Sequence, residues 1–189
     1  MVVRRVYRKS RRTLNTEGEA HFVTFSCFQR RPFLSRDRTR EYFVAGMERM
    51  RSRHEVNIWA YVVMPEHVHL LIYPVYADYK MEKILATLKL SVSRRALGYL
   101  RKHNPAGLRH LSTGQVHTPY RFWLAGGGYD RNTVSFGALK NMIEYIHNNP
   151  VRRGLAQDAL EWKWSSAQEW NAEGGGPLRI DRDTLPPLK

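Results

Sequence analysis

The chain has 189 residues, enough for one domain with a buried core, and its 31 basic against 17 acidic side chains give a net charge of +14. This excess suits a polyanionic partner, most simply nucleic acid. The single cysteine, Cys27, excludes an internal disulfide and a cysteine-clustered zinc site, and it favours a reducing, cytoplasmic compartment. No segment approaches the roughly 18 consecutive apolar residues of a membrane span, so we expect a soluble protein with no membrane attachment.

Composition divides the chain into three parts. Residues 1–18 are too basic and too poor in apolar spacing to form a core element, which predicts an arm that either orders on phosphates or stays solvated. Residues 19–170 carry the apolar periodicity of one domain. Residues 171–189 are rich in glycine and proline and have little periodicity, which predicts a flexible tail.

The apolar periodicity of the domain alternates between the patterns of strands and helices. In chain order it predicts a strand over 20–28, a helix over 38–53, strands over 57–63 and 67–73, a helix over 79–103, short strands over 120–124 and 129–134, and a helix over 135–148. This order predicts an α+β fold in which helices sandwich a mainly antiparallel sheet of about four to five strands, related to the ferredoxin-like plan.

Two histidines stand one residue apart at the start of the fourth predicted element. Successive side chains of a strand point to opposite faces, so His67 and His69 share one face while Val68 packs on the other. Such a pair is a candidate metal clamp, and Glu66 beside it is a candidate base or accessory ligand. Imidazole suits zinc and added oxygen donors suit magnesium or manganese, whereas the competing interpretation is a pair of structural histidines.

A second group of polar residues lies along the last predicted helix and at its end. Asn141, Tyr145 and Asn149 recur at intervals of four, which places a phenol and carboxamides on one helix face, beside the apolar stripe. A tyrosine in such a place is often a core or interface aromatic. A phenol becomes a useful nucleophile when it attacks a strongly polarised centre, and a metal on a phosphate oxygen supplies that polarisation.

These motifs together resemble those of a known family. The chain resembles the REP-associated tyrosine transposases, which belong to the single-tyrosine HUH transposase superfamily. The resemblance rests on four stretches: VVMPEHVHLL at 62–71, GGGYDRN at 126–132, EYIHNNPV at 144–151 and WSS at 164–166. The resemblance covers about residues 20–170. It implies a helix-covered antiparallel sheet, a divalent metal (Mg²⁺ or Mn²⁺) held by His67, His69 and Asn149, and Tyr145 as the nucleophile.

The same resemblance implies a reaction and a partner. Tyr145 would attack a phosphodiester of single-stranded DNA to leave a 5′-phosphotyrosine and a free 3′-hydroxyl, and the substrates would be hairpins of repetitive extragenic palindromes. The family pattern has asparagine where this chain has Glu66, and the protein would act as a monomer or a homodimer.

Several basic residues are candidates for binding DNA, each against the simpler interpretation of a solvated basic surface. They are Arg4, Arg5, Arg8, Lys9, Arg11, Arg12, Lys89, Arg94, Arg95, Arg121, Arg152 and Arg153. Two other functions fit the residues. One is a non-catalytic nucleic-acid-binding module with structural histidines, and the other is a metal-dependent hydrolase that uses an activated water.

Overall fold

A computed structural model of the chain describes residues 15–126, 128–133, 135–171 and 174–186. Most of the predicted basic arm therefore lies outside the described residues, together with its six candidate DNA contacts between residues 4 and 12. Within the described ranges, no helix combines the length and the apolar character that crossing a membrane requires.

Within the described residues, four antiparallel strands form one sheet. They are β1 (Ala20–Ser26), β2 (Val56–Val63), β3 (His67–Pro74) and β4 (Tyr129–Thr133), in the order β2-β3-β1-β4. The central strands β1 and β3 are paired so that Thr24 lies opposite His69 and Ser26 opposite His67. Apolar residues on both faces of these two strands require a layer of helices on each side.

Helices cover both faces of the sheet. The long helices α1 (Asp37–His54) and α2 (Met81–His103) pack on one face, where Val23, Phe25 and Leu70 join their core. Helix α3 (Phe136–His147) packs on the other face over Phe22 and Leu71. Two single helical turns, α4 (Asn149–Arg152) and α5 (Ala167–Trp170), follow it, and 3₁₀ turns lie at Phe28–Arg30, Pro105–Leu111, Ala159–Glu161 and Arg182–Thr184.

This arrangement confirms the predicted fold class. The succession β1-α1-β2-β3-α2-β4 is that of the ferredoxin-like plan, and α3 adds the helix layer on the second face. The predicted alternation in β3 is also found, because His67, His69 and Leu71 face α3 while Val68 and Leu70 face α1 and α2.

The strand predicted over 120–124 is wrong. This segment makes only isolated bridges, from Trp123 to Cys27 and from Tyr120 to Ser112. Its apolar residues are used by the core rather than by a sheet, since Trp123 meets Phe25 edge to face and donates its indole N–H to the carbonyl of Lys89. The strand-like composition of this segment therefore reflects burial of its aromatic side chains at the end of β1.

The C-terminal segment also differs from the flexible tail predicted over 171–189. Within the described residues 174–186, Leu178 and Ile180 are buried in the core. The carboxylate of Asp181 accepts the backbone N–H of Ile58 at 2.8 Å, and the hydroxyl of Thr184 accepts the indole N–H of Trp59 at 2.9 Å. Buried apolar residues and side-chain hydrogen bonds hold this segment on β2 without a periodic pattern, so no local feature of the sequence predicts it.

Candidate active site

The paired histidines lie at the start of β3, at one end of the sheet. Their Nε2 atoms are 3.1 Å apart, and His69 is 5% exposed. Two nitrogens that each lie about 2.1 Å from one ion, at the near-right angle of octahedral ligands, are about 3 Å apart. The spacing of the two imidazoles therefore fits a shared divalent cation.

Hydrogen bonds at the far side of each ring determine which nitrogen is free. His67 Nδ1 contacts a carboxylate oxygen of Glu66 at 3.1 Å, and a carboxylate accepts, so this nitrogen carries the proton. His69 Nδ1 contacts the hydroxyl of Thr24 at 2.6 Å. When His69 donates to that hydroxyl, both Nε2 lone pairs point into the shared space, which is the arrangement of histidine ligands held by outer partners.

Burial keeps both imidazoles neutral. Burial, and to a smaller extent the neighbouring His67, lowers the pKa of His69 to about 3. Burial also lowers the pKa of His67, although the Glu66 carboxylate opposes the shift. Neutral imidazole is the form that binds metals, so the protonation state of the pair suits a cation.

Tyr145 faces the histidines from α3. Its ring meets the His69 ring edge to face, with centroids 5.3 Å apart, and Phe22 fills the space beside both. Tyr145 is 39% exposed, although its neighbours Met142 and Ile146 are buried. The phenol is therefore held against the histidine pair and remains accessible to a substrate.

One cavity of about 420 Å³ contains all of the predicted site residues of the sheet and the last helix. We call it the His67 cavity; its lining residues are Thr24, Ser26, Arg30, Glu66, His67, His69, Tyr145, Asn149, Arg152 and Arg153. Asn149 is 5% exposed and stands one helical turn after Tyr145. The structure thus brings together the strand histidines and the helix phenol and carboxamide that the sequence singles out.

The donors present fit a divalent cation. Among the described residues, no group of three or more His, Cys, Asp or Glu side chains is placed to hold a metal. The two Nε2 atoms would hold it together with the buried amide oxygen of Asn149, a mixed nitrogen and oxygen set that suits manganese or magnesium. Glu66 also lines the cavity but is not counted among these donors. One of its oxygens contacts both His67 Nδ1 and the guanidinium of Arg153, the latter at 2.9 Å.

The cationic side of the His67 cavity is suited to a phosphate. Arg30, Arg152 and Arg153 line it, and the guanidinium of Arg152 lies 5.2 Å from the centre of the Tyr145 ring. A phosphodiester that reached Tyr145 would meet these charges. Arg30 and Thr24 are functional candidates that local sequence patterns do not reveal, because only the pairing of β1 with β3 brings them to the histidines.

The other candidate DNA contacts lie elsewhere. Arg94 and Arg95 line a groove of about 650 Å³ between α1 and α2 with Arg49, Arg53 and Lys83, on the sheet face opposite α3. The ammonium of Lys89 points into the protein, where it donates to the carbonyl of Gly126 at 3.2 Å and lies 4.4 Å from the centre of the Phe25 ring. Arg121 is half-buried in the loop before β4.

A buried contact fixes α3 to the sheet. The hydroxyl of Ser166 accepts the backbone N–H of Tyr61 at 2.8 Å and donates to the Tyr61 carbonyl at 3.2 Å. His147 Nε2, 2.9 Å from the same oxygen, is therefore the donor of the third bond. His147 lies between Tyr145 and Asn149 in sequence, so this bond holds the helix segment that carries both.

With the sheet, the paired histidines and the helix phenol placed, comparisons with known proteins show which family the chain belongs to. A family model described as "Transposase IS200 like" matches residues 15–149, so the chain belongs to the IS200-like transposases. A protein of Haemophilus influenzae described as a REP-associated tyrosine transposase is 25% identical over 186 residues, which cover 89% of this chain and 95% of that protein. The family is one of transposases, and transposases are enzymes.

A solved structure shows the same fold. A REP-associated tyrosine transposase bound to a REP hairpin superposes with a TM-score of 0.65 at 16% identity, over 95% of this chain and 92% of that one. The match extends to the sheet and its helices. Together these comparisons confirm the resemblance that the sequence motifs indicate.

Proposed function

We propose that the protein is a metal-dependent endonuclease and strand transferase for single-stranded DNA, acting on hairpin or palindromic substrates. The observation that carries the proposal is the edge-to-face contact of Tyr145 with His69, at 5.3 Å between centroids, inside one cavity with His67 and Asn149. It places an accessible phenol beside a site suited to a divalent cation.

The reaction exchanges one phosphate ester for another. The Tyr145 oxygen attacks phosphorus, the bond from phosphorus to the 3′-oxygen breaks, and the 5′-side oxygen stays attached. The phenol loses a proton and the leaving 3′-oxygen gains one, so the products are a 5′-phosphotyrosine and a 3′-hydroxyl. Attack by a second 3′-hydroxyl on the phosphotyrosine reverses the step and joins a new strand without an external energy source.

The residues of the His67 cavity divide the work. His67, His69 and Asn149 would hold Mg²⁺ or Mn²⁺, which when bound polarises a phosphate oxygen. Arg30, Arg152 and Arg153 offer charge to the same phosphate. Glu66 orients His67 and Arg153 through its two contacts and is assigned a positioning role rather than that of a ligand.

Hairpin DNA is the proposed partner. The net charge of +14 suits a polyanion, and the structural neighbour over 95% of the chain is a transposase bound to a REP hairpin. A basic groove that tracks phosphates and exposed aromatics that stack bases are the usual means of holding single strands.

A covalent-adduct assay tests the proposal. Labelled hairpin oligonucleotides with randomised single-stranded flanks are incubated with Mg²⁺ or Mn²⁺, and protein-linked strands are detected on denaturing gels. Tyr145→Phe removes the nucleophilic oxygen with little change of shape, so we expect adducts to fall at least a thousandfold while hairpin binding changes less than threefold. Tyr76→Phe, at an exposed tyrosine that does not line the His67 cavity, is the matched control and should react as the unchanged protein does.

The same assay separates the other two functions. Binding without cleavage under either metal would identify a non-catalytic module. Cleavage that survives Tyr145→Phe but not His67→Ala would identify a hydrolase that uses water. Either result contradicts the assignment of Tyr145.

A further inference from the structure

A second cavity adjoins Tyr145. It has a volume of about 310 Å³, and we call it the Tyr129 slot; its lining residues are Phe22, Tyr129, Arg131, Ala138, Asn141, Met142 and Tyr145. Among the described residues, Tyr145 alone lines both this slot and the His67 cavity. On α3 the slot includes Asn141, one turn before Tyr145, whereas the His67 cavity includes Asn149, one turn after. The two cavities therefore lie on opposite sides of the phenol.

The slot has an aromatic interior. Tyr129 and Tyr145 each stand nearly perpendicular to the buried ring of Phe22, at 72° and 79°, with centroids 6.2 and 5.9 Å away. Tyr129 is 43% exposed on β4, an edge strand of the sheet. Exposed aromatic rings held in place by a buried one are the usual platform for stacking a nucleobase.

The backbone next to Tyr129 is held closely against β1. Gly128 has φ +83°, and a Cβ at this position would lie 2.1 Å from the carbonyl oxygen of Thr24. Glycine is thus required for β4 to start beside β1, where Tyr129 lies opposite Thr24.

Polar groups at the rim complete the slot. Arg131 pairs with Phe22 across β1 and β4, so its side chain lies on the same sheet face as the three rings. Asn141 is exposed on α3. Among the described lining residues none carries a carboxylate, so the slot offers guanidinium donors, a carboxamide and aromatic faces, the groups that bind base edges.

We propose that the Tyr129 slot binds the nucleobase next to the phosphate that Tyr145 attacks, and this rests on the proposed function. A strand whose phosphate enters the His67 cavity passes Tyr145, and its neighbouring nucleotide then lies at the slot. The base stacks on Tyr129, and Arg131 donates to its edge. Guanine, cytosine and thymine present carbonyl oxygens that accept from a guanidinium. The N1 and N7 acceptors of adenine stand beside its N6 amino donor, which opposes the Arg131 donors, so the slot selects against adenine at that position.

Binding of the nucleobase in the slot is tested under conditions that prevent DNA cleavage. Tyr145→Phe protein in a metal-free buffer is mixed with oligonucleotides that carry pyrrolocytosine, a fluorescent cytosine analogue with its carbonyl intact, at each flank position in turn. We expect stacking to quench fluorescence at one position, and expect Tyr129→Leu to abolish this quenching while Tyr129→Phe retains it. Leucine keeps apolar bulk on β4, so loss of stacking is separated from loss of fold, and Tyr76→Leu is the matched control.

Base selection is tested with the unchanged Tyr145. Each of the four bases, or an abasic sugar, is placed beside the cleaved phosphate and the rate of adduct formation is measured. We expect adenine and the abasic site to react about tenfold more slowly than the other bases, since one stacked and hydrogen-bonded base contributes on this scale. Arg131→Ala should reduce the discrimination against adenine, whereas Arg179→Ala, an equal charge change on the C-terminal segment beside β2 at the opposite edge of the sheet, should not.

The outcomes distinguish a failure of the slot proposal from a failure of the proposed function. Absence of any adduct contradicts the proposed function, and the quenching experiment then still tests the slot. Adducts that form equally fast with all bases and with an abasic site, or quenching that Tyr129→Leu leaves intact, overturn the slot while leaving the assignment of Tyr145 in place.

Discussion

At the scale of single residues, Thr24 shows how one hydroxyl determines the state of a candidate metal site. Its oxygen lies 2.6 Å from His69 Nδ1 and turns the other ring nitrogen toward His67. Partners of this kind fix the tautomer and orientation of a ligand histidine, and their loss lowers metal affinity about 10- to 100-fold.

Replacing Thr24 with valine should therefore weaken Mn²⁺ binding by about 10- to 100-fold, because valine keeps the shape and removes the hydrogen bond. Calorimetric titration of the DNA-free protein measures the affinity directly. Thr87→Val is the matched control, since Thr87 also bonds a histidine, His54, at 2.7 Å, but in the groove between α1 and α2. Equal Mn²⁺ affinity of Thr24→Val and the unchanged protein would contradict the placement of the ion.

The residues of the site differ in how far sequence alone could predict them. His67 and His69 share a strand face, and Tyr145 and Asn149 share a helix face, because both periods are local. Thr24 is 45 residues from His69, and Tyr129 and Arg131 depend on the pairing of β4 with β1. Such contacts are set by strand register, which no local pattern in this sequence specifies.

At the scale of elements, the position of α3 depends on its buried attachment to β2. Ser166→Ala would leave the Tyr61 N–H and the His147 Nε2–H without their acceptor. A buried unsatisfied donor costs about 1–3 kcal/mol, so we expect the free energy of unfolding to fall by about that amount. Urea denaturation measures it, and Ser93→Ala, whose hydroxyl bonds only within α2, should change it by less than about 0.5 kcal/mol. No loss in Ser166→Ala would show that this hydroxyl does not fasten the helix.

The buried Lys89 side chain of α2 predicts that the free energy of unfolding depends on pH. Burial lowers the pKa of Lys89 from its ordinary value of 10.5 to about 8. Between these values the unfolded chain keeps the proton that the folded protein has released, so this group makes unfolding less favourable as pH rises from 8 to 10.5, by about 3 kcal/mol at most.

Lys89→Met should remove this dependence. The difference in unfolding free energy between the unchanged protein and Lys89→Met should shift in favour of the unchanged protein between pH 7 and pH 10. Using the difference cancels the tyrosines whose pKa burial raises, such as Tyr79, which titrate in both proteins. A constant difference would show that the Lys89 ammonium is solvated, and Lys140→Met, at an exposed lysine on α3, serves as the control.

The sequence predicts an element well where its apolar periodicity extends over many residues. It predicts poorly where a short apolar segment is buried without forming a strand. The helices α1 and α2 and the pair β2 and β3 were found close to their expected bounds. Residues 120–124 have the composition of a strand, but Phe122 and Trp123 are buried against Phe33, Phe25 and Phe43 at the end of β1. Aromatic packing and strand pairing select the same residue types, so composition alone cannot separate them.

At the scale of the whole molecule, the excess of positive charge is spread over several surfaces. Arginines line the His67 cavity, a separate basic groove lies between α1 and α2, and six basic residues stand between residues 4 and 12. Each phosphate that a protein neutralises in single-stranded DNA adds about −0.7 to the slope of log K against log salt.

Replacing the six basic residues of the arm with glutamine in the full chain should therefore make this slope shallower by up to about 4, if all six contact phosphates. Fluorescence anisotropy with a labelled hairpin over a range of salt concentrations measures it. Glutamine replacement of the five groove residues, Arg49, Arg53, Lys83, Arg94 and Arg95, gives a comparison of similar charge. A slope unchanged by the arm replacements would show that the arm is solvated in the complex.

If Tyr145 is the nucleophile, DNA becomes attached to its oxygen, and the attachment site can be mapped. After reaction with a cleavable hairpin and Mn²⁺, the protein is digested with nuclease and protease and its peptides are analysed by mass spectrometry. We expect one modified peptide, with a nucleotide phosphate on Tyr145. We expect none on Tyr129, although its ring also contacts Phe22, with centroids 6.2 Å apart. A phosphate on any other residue, or strand cleavage with no modified peptide, would contradict it.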